Sequence, residues 1–304
     1  MALDDLRQLM EILESEGELL RIPEEVDAKY EIGAWCRVVS DAGGPALLFE
    51  RVKGHEIPIL VNAFGTRKRI ALALGLKPEE MLEGCLSRLE KRIPARMVPT
   101  GDAPCQQVVL TGDDADMTKL PIPLWSIGDG GPYITASVHF SKHPQFGKNA
   151  SINRMLLKGP REMAVCMAPD HYLRMVLDDA KRQGAEGIEV AVAIGMDPTI
   201  YIAASSDFAI GDYEIEVAGA LRGEPVAMVK CKTIDAEVPA NAEIVLEGIF
   251  TGKTDDEGPF VEYTGHQTPI IQSPVFEVKA ITHRRDPIFQ AVYLSKSPCE
   301  ANNL

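Results

Sequence analysis

The sequence predicts an α+β protein in which a small N-terminal α/β domain precedes a strand-rich domain. Helix-type and strand-type patterns alternate over residues 1–95, as in an α/β layer. Beyond them prolines crowd the chain, and short β-type runs between glycine and proline turns dominate, as in a barrel or sandwich. We therefore predict a boundary between about residues 95 and 115, with domains over residues 1–110 and 111–304.

The first domain is predicted to begin with a helix that ends at Gly17, because acidic residues favour its start and apolar residues recur at helical spacing. A strand over Glu18–Ile22 follows and ends at Pro23. The mostly apolar run Ile57–Ala63 indicates a short buried strand. Further helices are predicted over Tyr30–Val39, Arg67–Leu74 and Pro78–Ile93.

The second domain is predicted to consist mainly of short strands. These strands are Tyr133–Phe140, Arg154–Lys158, Ile188–Ile194, Ile200–Ala204, Val226–Ile234, Glu243–Phe250, Val275–Thr282 and Pro287–Leu294. One helix interrupts them over Pro169–Gln183, with proline in its first turn and Gly184 at its end.

Composition and charge disfavour several classes of function. The 304 residues carry a formal net charge of −14, which disfavours nucleic acid and anionic membranes as partners because both have the same sign. No signal peptide and no apolar run of membrane-spanning length is recognisable. The six cysteines are scattered without a C-x-x-C pair, which is typical of buried thiols in a reducing cytoplasm.

The most informative segment is Glu257-Gly-Pro-Phe-Val-Glu262, in which Gly258 and Pro259 favour a turn between two carboxylates. Arg154 lies upstream, at the end of Asn149-Ala-Ser-Ile-Asn-Arg154. One arginine and two glutamates suit a proton-handling cluster, since the arginine keeps one carboxylate ionised while the less compensated one carries a proton. Each piece alone also has a bland interpretation, because Glu-Gly-Pro is common in ordinary turns.

A second candidate set consists of Asn149, His171 and Glu214. Amide oxygen, imidazole and carboxylate together form a mixed N/O site that suits Mn²⁺ or Mg²⁺, and these ligand types discriminate weakly between the two ions. Cofactor phosphate oxygens can complete such a site. The first turn of the helix predicted over Pro169–Gln183 would also bring its dipole beside that phosphate.

In this order, the segments resemble the UbiD-type decarboxylases, which use prenylated FMN, and the resemblance covers nearly the whole chain. Asn149-x-Ser151-Ile152-x-Arg154 resembles the cofactor and metal segment of that family. Ala204-Ser205-Ser206 resembles its small-residue segment near the phosphate and a monovalent ion such as K⁺. The most specific run is Val238–Gly248 followed by Glu257-Gly-Pro-Phe-x-Glu262.

The resemblance implies a split β-barrel flavin-binding domain and non-oxidative, reversible decarboxylation of an aryl or acrylic carboxylate. It implies that Asn149, His171 and Glu214 hold the metal, that Arg154 pairs with Glu257 and that Glu262 donates the proton. Ser151, Ile152, Ala204, Ser205 and Ser206 are further cofactor-binding candidates. A separate flavin prenyltransferase would supply the cofactor. The family also has a C-terminal domain, used for oligomerisation and for covering the active site, so the resemblance implies a homo-oligomer. This sequence stops before that domain, and whether 304 residues are the natural length stays open.

The sequence departs from the family pattern at three positions, and two alternative functions remain open. Val261 stands where the family often has glycine, Asp170 stands where some relatives have glutamine, and the tyrosine common before the arginine is absent. A flavin oxidoreductase on the same barrel would need a nicotinamide site, yet no G-x-G-x-x-G follows a strand. The other alternative is a subunit of a larger carboxylase complex.

Overall fold

The computed structural model describes residues 2–169 and 171–304, so Asp170 lies outside the described residues. The helices are α1 Leu6–Ser15, α2 Glu31–Ala42, α3 Arg67–Leu74, α4 Met81–Leu89, α5 Tyr172–Arg182, α6 Pro198–Ala204 and α7 Glu214–Arg222. Short 3₁₀ turns cover Pro78–Glu80, Thr100–Asp102, Pro104–Gln106, Gly112–Asp114, Met117–Lys119 and Glu300–Asn303. Within the described part of the chain, every helix is too short or too polar to cross a bilayer.

The first strands build a four-stranded sheet near the N-terminus. They are β1 Leu19–Val26, β2 Ala46–Val52 and β3 Ile59–Val61, and the fourth member is β16 Phe289–Gln290 from far along the chain. Pairing is parallel for β1–β2, antiparallel for β2–β3 and parallel for β3–β16. The order β1-β2-β3-β16 thus joins residues near 60 to residues near 290 in one sheet.

A larger, nine-stranded sheet forms the centre of the molecule. Its strands are β5 Val108–Thr111, β6 Tyr133–Ile134, β7 Val138–His143, β8 Gly147–Ile152, β9 Met155–Leu157, β10 Glu162–Val165, β11 Ile188–Ile194, β14 Ile244–Glu257 and β15 Ile271–His283. They follow the order β6-β9-β10-β15-β14-β11-β7-β8, with β5 on the far end of β15. A small third sheet combines β4 Arg96–Met97, β12 Ala227–Lys230 and β13 Glu237–Pro239.

Several strands are buried on both faces, which explains their continuous apolar runs. In β11, Ala191 and Ala193 pack into one hydrophobic core, while Val190, Val192 and Ile194 pack into a second core on the opposite face. Successive side chains of a strand point to opposite sides, so a strand between two cores needs apolar residues at every position. The same division applies to β2 and β3.

The predicted α+β class is confirmed, while the predicted boundary near residues 95–115 stays a prediction. In the described residues the large sheet is an open path from β6 to β8, and no strand pair closes it into a complete barrel. Among the elements, α3 and β11 have the predicted bounds.

The structure differs most from the predictions at three elements. Ile200–Ala204 is helical and belongs to α6, and α7 was not foreseen. The first strand does not end at Pro23 but continues to Val26, through a register shift between Ile22 and Glu25. Proline is tolerated there because β1 is the edge strand of its sheet.

Candidate active site

One arginine and two glutamates meet where β14 ends. The Arg154 Nε and Nη2 atoms donate to the two carboxylate oxygens of Glu257 at 2.9 and 3.1 Å, and Nη1 donates to Glu262 Oε1. The Glu257 side chain is fully buried, whereas 26% of the Glu262 side chain remains exposed. Burial lowers the pKa of the Arg154 guanidinium, but its pairs with the glutamates more than offset this and raise the pKa above the ordinary value.

Local structure explains why these residues meet. Arg154 lies between β8 and β9, and Glu257 is the last residue of β14. Gly258 then has a φ of +97°, and a Cβ there would come within 2.7 Å of the Pro269 carbonyl oxygen. Only glycine fits such a backbone without strain. The turn that follows directs Glu262 back towards Arg154.

Two aromatic residues support the cluster. The Tyr133 hydroxyl donates to Glu257 Oε1 at 3.0 Å and accepts from the Gly258 backbone N–H at 3.1 Å. Phe260 places its ring 4.8 Å from the Arg154 Cζ atom and packs edge-on against Tyr133, with ring centroids 4.5 Å apart. The ring therefore covers the guanidinium with an apolar, weakly attractive face.

Sequence reasoning missed two further neighbours of the cluster. Burial raises the pKa of the Cys166 thiol to about 11, which Arg154 opposes and a contact with Glu257 reinforces. The Asp129 carboxylate accepts from the backbone N–H of Ser126 and of Val261, both at 2.9 Å. It thereby fixes the residue beside Glu262. The Gly128–Pro132 loop was visible in the sequence as an irregular turn, but nothing in it indicated this contact.

A cavity of about 680 Å³ lies nearby and is lined by most of the predicted cofactor-binding residues. These lining residues are Asn149, Ser151, Ile152, His171, Ala204, Ser205, Ser206 and Glu214. Arg154, Glu257 and Glu262 do not line it. The cavity and the cluster are nevertheless linked along one short segment, because Ser151 and Ile152 of β8 precede Arg154 by only three and two residues, respectively.

Two of the three predicted metal-binding residues are in direct contact. Asn149 Nδ2 donates to Glu214 Oε1 at 2.8 Å, and the backbone N–H of Ala150 donates to Glu214 Oε2 at 2.7 Å. Burial raises the pKa of Glu214 to about 7, although both hydrogen bonds act in the opposite direction. The Asn149 Oδ1 atom is buried and has no hydrogen-bond partner. An orphaned buried acceptor beside a carboxylate is suited to a cation.

His171 lies on the same cavity as Asn149 and Glu214, at the N-cap of α5 instead of in its first turn. Its side chain makes no capping hydrogen bond, so the imidazole is not committed to the helix backbone. Across residues 2–169 and 171–304, no group of three or more His, Cys, Asp or Glu side chains is placed to hold a metal ion. The predicted set contains two such residues and one amide.

Ala204, Ser205 and Ser206 lie at the C-terminal end of α6, on the cavity wall. The Ser205 and Ser206 hydroxyls both donate to the Ile202 carbonyl oxygen at 3.0 Å. Because the last carbonyls of a helix carry partial negative charge, this end favours a cation. The opposite polarity occurs at α5, whose N-terminus lies beside His171 and favours an anion.

Comparison with known proteins assigns the family. Residues 96–297 match the model described as the 3-octaprenyl-4-hydroxybenzoate carboxy-lyase Rift-related domain, and residues 10–89 match the N-terminal domain of the same enzymes. The chain belongs to the UbiD family. A curated relative, an uncharacterized protein of Archaeoglobus fulgidus, is 38% identical over 325 residues and covers 99% of this chain.

Solved structures of UbiD-class enzymes have the same fold. An evolved dimeric form of HmfF from Pelotomaculum thermopropionicum, in complex with prFMN, is 38% identical over 96% of this chain, with a TM-score of 0.91. Vanillic acid decarboxylase of Sedimentibacter hydroxybenzoicus in its closed form is 29% identical over the whole chain, with a TM-score of 0.96. The chain spans 66%, 68% and 67% of the lengths of these three relatives.

Proposed function

We propose that this protein catalyses the non-oxidative, reversible decarboxylation of an aryl or α,β-unsaturated carboxylic acid with prenylated FMN. The observation that carries the proposal is the contact of one arginine with two glutamates that lie 103 and 108 positions further along the chain. UbiD-family membership supports it, as does the prFMN-bound structure of a relative. When bound, prenylated FMN supplies the electron sink that no side chain provides for the charge left by CO₂ loss.

The cavity residues fit such a cofactor. Its volume of about 680 Å³ is within the range of small-molecule sites. The N-terminus of α5 suits the flavin phosphate, and the buried Asn149 Oδ1 atom suits a cation that neutralises this phosphate. We assign Asn149, His171 and Glu214 to Mn²⁺ or Mg²⁺, and the end of α6 at Ala204–Ser206 to K⁺.

Arg154, Glu257 and Glu262 have separate roles in substrate binding and proton transfer. Arg154 commits two nitrogens to Glu257 and turns the third towards Glu262, so a substrate carboxylate competes with Glu262 for that edge. A carboxylate that loses its cationic partner binds a proton more readily. Glu262 would then hold the proton that replaces CO₂ on the substrate carbon, while Tyr133 and Glu257 keep the guanidinium in place.

Partners follow from the same proposal. A separate flavin prenyltransferase supplies the cofactor, and the chain assembles as a homo-oligomer in the cytoplasm. An aryl or acrylic carboxylate is the substrate class.

The test is CO₂ release from a panel of aryl and acrylic acids by protein co-expressed with a flavin prenyltransferase. We expect release by the wild type and a loss of about 100-fold or more in Arg154→Lys, since lysine cannot bind two carboxylates bidentately. Arg174→Lys is the matched control, because Arg174 pairs with Asp178 on the surface of α5. Flavin-dependent NAD(P)H oxidation without CO₂ release would instead identify an oxidoreductase.

A further inference from the structure

A segment late in the chain forms one wall of the cavity. Val292, Leu294, Ala301 and Leu304 line it, and Val292 also donates its backbone N–H to Thr135 Oγ1 at 3.2 Å. The segment reaches the cluster as well, since the Ser297 backbone N–H donates to the carbonyl oxygen of Tyr263, the residue after Glu262. Residues 292–304 therefore line the cavity and also contact the residue next to Glu262.

This segment contains almost no regular secondary structure. Strand β16 finishes at Gln290, before the segment begins, and the 3₁₀ turn Glu300–Asn303 is a single turn near its end. Short pieces of this kind supply few backbone hydrogen bonds of their own. Something else must fix residues 292–304 against the protein.

Glu300 provides the buried part of that fixation, while the Arg37 guanidinium donates to the Lys296 and Pro298 carbonyl oxygens nearer the surface. Its side chain is 0% exposed, and its Oε2 atom accepts from the backbone N–H groups of Asn62 and Tyr293, both at 2.9 Å. The Oε1 atom accepts from the backbone N–H of Phe64 at 2.9 Å. One carboxylate thus joins the loop after β3 to the start of the cavity wall.

The receiving loop is shaped for an anion. Asn62 has a φ of +60°, and its side chain donates to the Pro45 carbonyl oxygen at 2.8 Å, which holds the backbone in that conformation. Backbone N–H groups that converge in this way form an anion-binding concavity. Arg69 is fully buried nearby and adds positive charge that acts on Glu300.

We propose that Glu300 is a positioning residue of the cofactor cavity: by binding the amides of Asn62, Phe64 and Tyr293, it fixes the wall formed by residues 292–304. The part that concerns flavin affinity rests on the proposed function. The part that concerns the fixation of residues 292–304 is independent of the proposed function.

Glu247 supplies a matched control. It is also 0% exposed, and it accepts from the backbone N–H groups of Lys232 and Thr233 at 2.8 and 2.6 Å. It does not line the cavity. Glu300→Gln and Glu247→Gln both put an amide NH₂ group against backbone donors, so both should lose stability. Only the first should disturb the cavity.

The first measurement is hydrogen exchange of the ligand-free protein, at a temperature where both variants are folded. We expect the amides of residues 292–304 to exchange at least about tenfold faster in Glu300→Gln and to be unchanged in Glu247→Gln. Unchanged exchange over this segment in Glu300→Gln would overturn the proposal whether or not the protein binds flavin.

The second measurement is the Kd for FMN, followed by flavin fluorescence. We expect a Kd about tenfold or more higher in Glu300→Gln, and within about twofold of the wild type in Glu247→Gln. Equal affinities in the two variants contradict a positioning role. A wild type that fails to bind FMN contradicts the flavin site instead, and the ligand-free exchange then decides the role of Glu300.

A third measurement needs no variant, and so it decides the matter if Glu300→Gln does not fold. FMN should slow exchange at the amides of Asn62, Phe64 and Tyr293 in the wild type, but not at those of Lys232 and Thr233. Equal protection of both groups would show that the Glu300 contacts are not coupled to the cavity.

Discussion

Tyr133 and Tyr201 make the same pair of hydrogen bonds at two places in the protein. Tyr133 donates to Glu257 and accepts from Gly258, while Tyr201 donates to the Ala136 carbonyl oxygen and accepts from the Gly195 N–H. Both side chains are 0% exposed. They therefore separate what a buried hydroxyl contributes to stability from what it contributes to the candidate active site.

We expect Tyr133→Phe and Tyr201→Phe each to lower the free energy of unfolding by about 1–3 kcal/mol, because each leaves a buried donor or acceptor without a partner. Urea denaturation measures this loss. Only Tyr133→Phe should also lower CO₂ release, by about tenfold, since Glu257 loses one of its donors. Equal activity in the two variants would contradict the role assigned to Tyr133.

His139 predicts a pH dependence of stability. It is 0% exposed in β7, neither ring nitrogen has a hydrogen-bond partner, and burial lowers the pKa of the imidazole to about 4. The unfolded chain binds this proton below about pH 6.5, whereas the folded protein binds it only near pH 4. Stability therefore falls as the pH drops from 6.5 to 4, and this contribution is constant below that range.

We expect His139→Leu to remove about 3 kcal/mol of acid destabilisation between pH 6.5 and pH 4. Denaturant unfolding at a series of pH values measures it. His266→Leu, which replaces an exposed imidazole, is the control and should keep the full pH dependence. A parallel slope in the two variants would show that another group is responsible.

At the residue scale, the sequence indicated the residues with a proposed chemical role, but not the residues that hold them in place. Glu257 and Glu262 lie in one short segment whose turn residues are visible, and a family resemblance linked them to Arg154. Tyr133 contacts Glu257 across 124 positions, and the carboxylate of Glu300 reaches Asn62 across 238. Single tyrosines and glutamates carry no local signal for such contacts, so tertiary structure had to supply them.

At the scale of elements, two glycines with positive φ lie in different surroundings, one inside strand β14 and one directly after it. Gly252 has a φ of +75° and its added Cβ would approach nothing closer than 3.8 Å. The next residue after the strand, Gly258, has a φ of +97°, and its added Cβ would come within 2.7 Å of a backbone oxygen. Substitutions at these two glycines therefore distinguish the cost of backbone strain from the cost of a steric clash.

We expect Gly252→Ala to lower the free energy of unfolding by about 1 kcal/mol, from the left-handed conformation alone. Gly258→Ala should cost about 2 kcal/mol more, because the methyl group forces the turn away from Pro269. Urea unfolding of both variants provides the test. If the two losses are equal, the close approach at Gly258 has no energetic weight.

Helix α6 shows why one element was predicted wrongly. Its run of apolar and β-branched residues resembles a strand, and nearly all of its side chains are buried, so no polar face reveals a helical period. The correct signal was at its start. Asp197 accepts from the Thr199 N–H as an N-cap, and Pro198 occupies the first turn. The strand prediction thus followed the uniformly apolar run and overlooked the N-cap signal that the sequence did contain.

For the molecule as a whole, ligand binding links the site to global stability. We expect FMN at 100 times its Kd to add about 2.7 kcal/mol to the free energy of unfolding, because only the folded state has the cavity. Added Mn²⁺ should increase the FMN effect if the metal is bound together with the phosphate. Thermal denaturation with each ligand measures both.

Riboflavin, which lacks the phosphate, is the control for this prediction. Its stabilising effect should be smaller than that of FMN and insensitive to Mn²⁺. An equal response of both ligands to the metal would contradict the assignment of Asn149, His171 and Glu214 to a phosphate-linked ion.

The short strand β16 has a consequence for how the protein is made. It completes the first sheet by pairing with β3, whose residues Ile59, Leu60 and Val61 are all 0% exposed. During translation, some 230 residues must leave the ribosome after β3 before that partner exists. A nascent chain would meanwhile present an apolar sheet edge, so completion of this sheet is a late, long-range folding step.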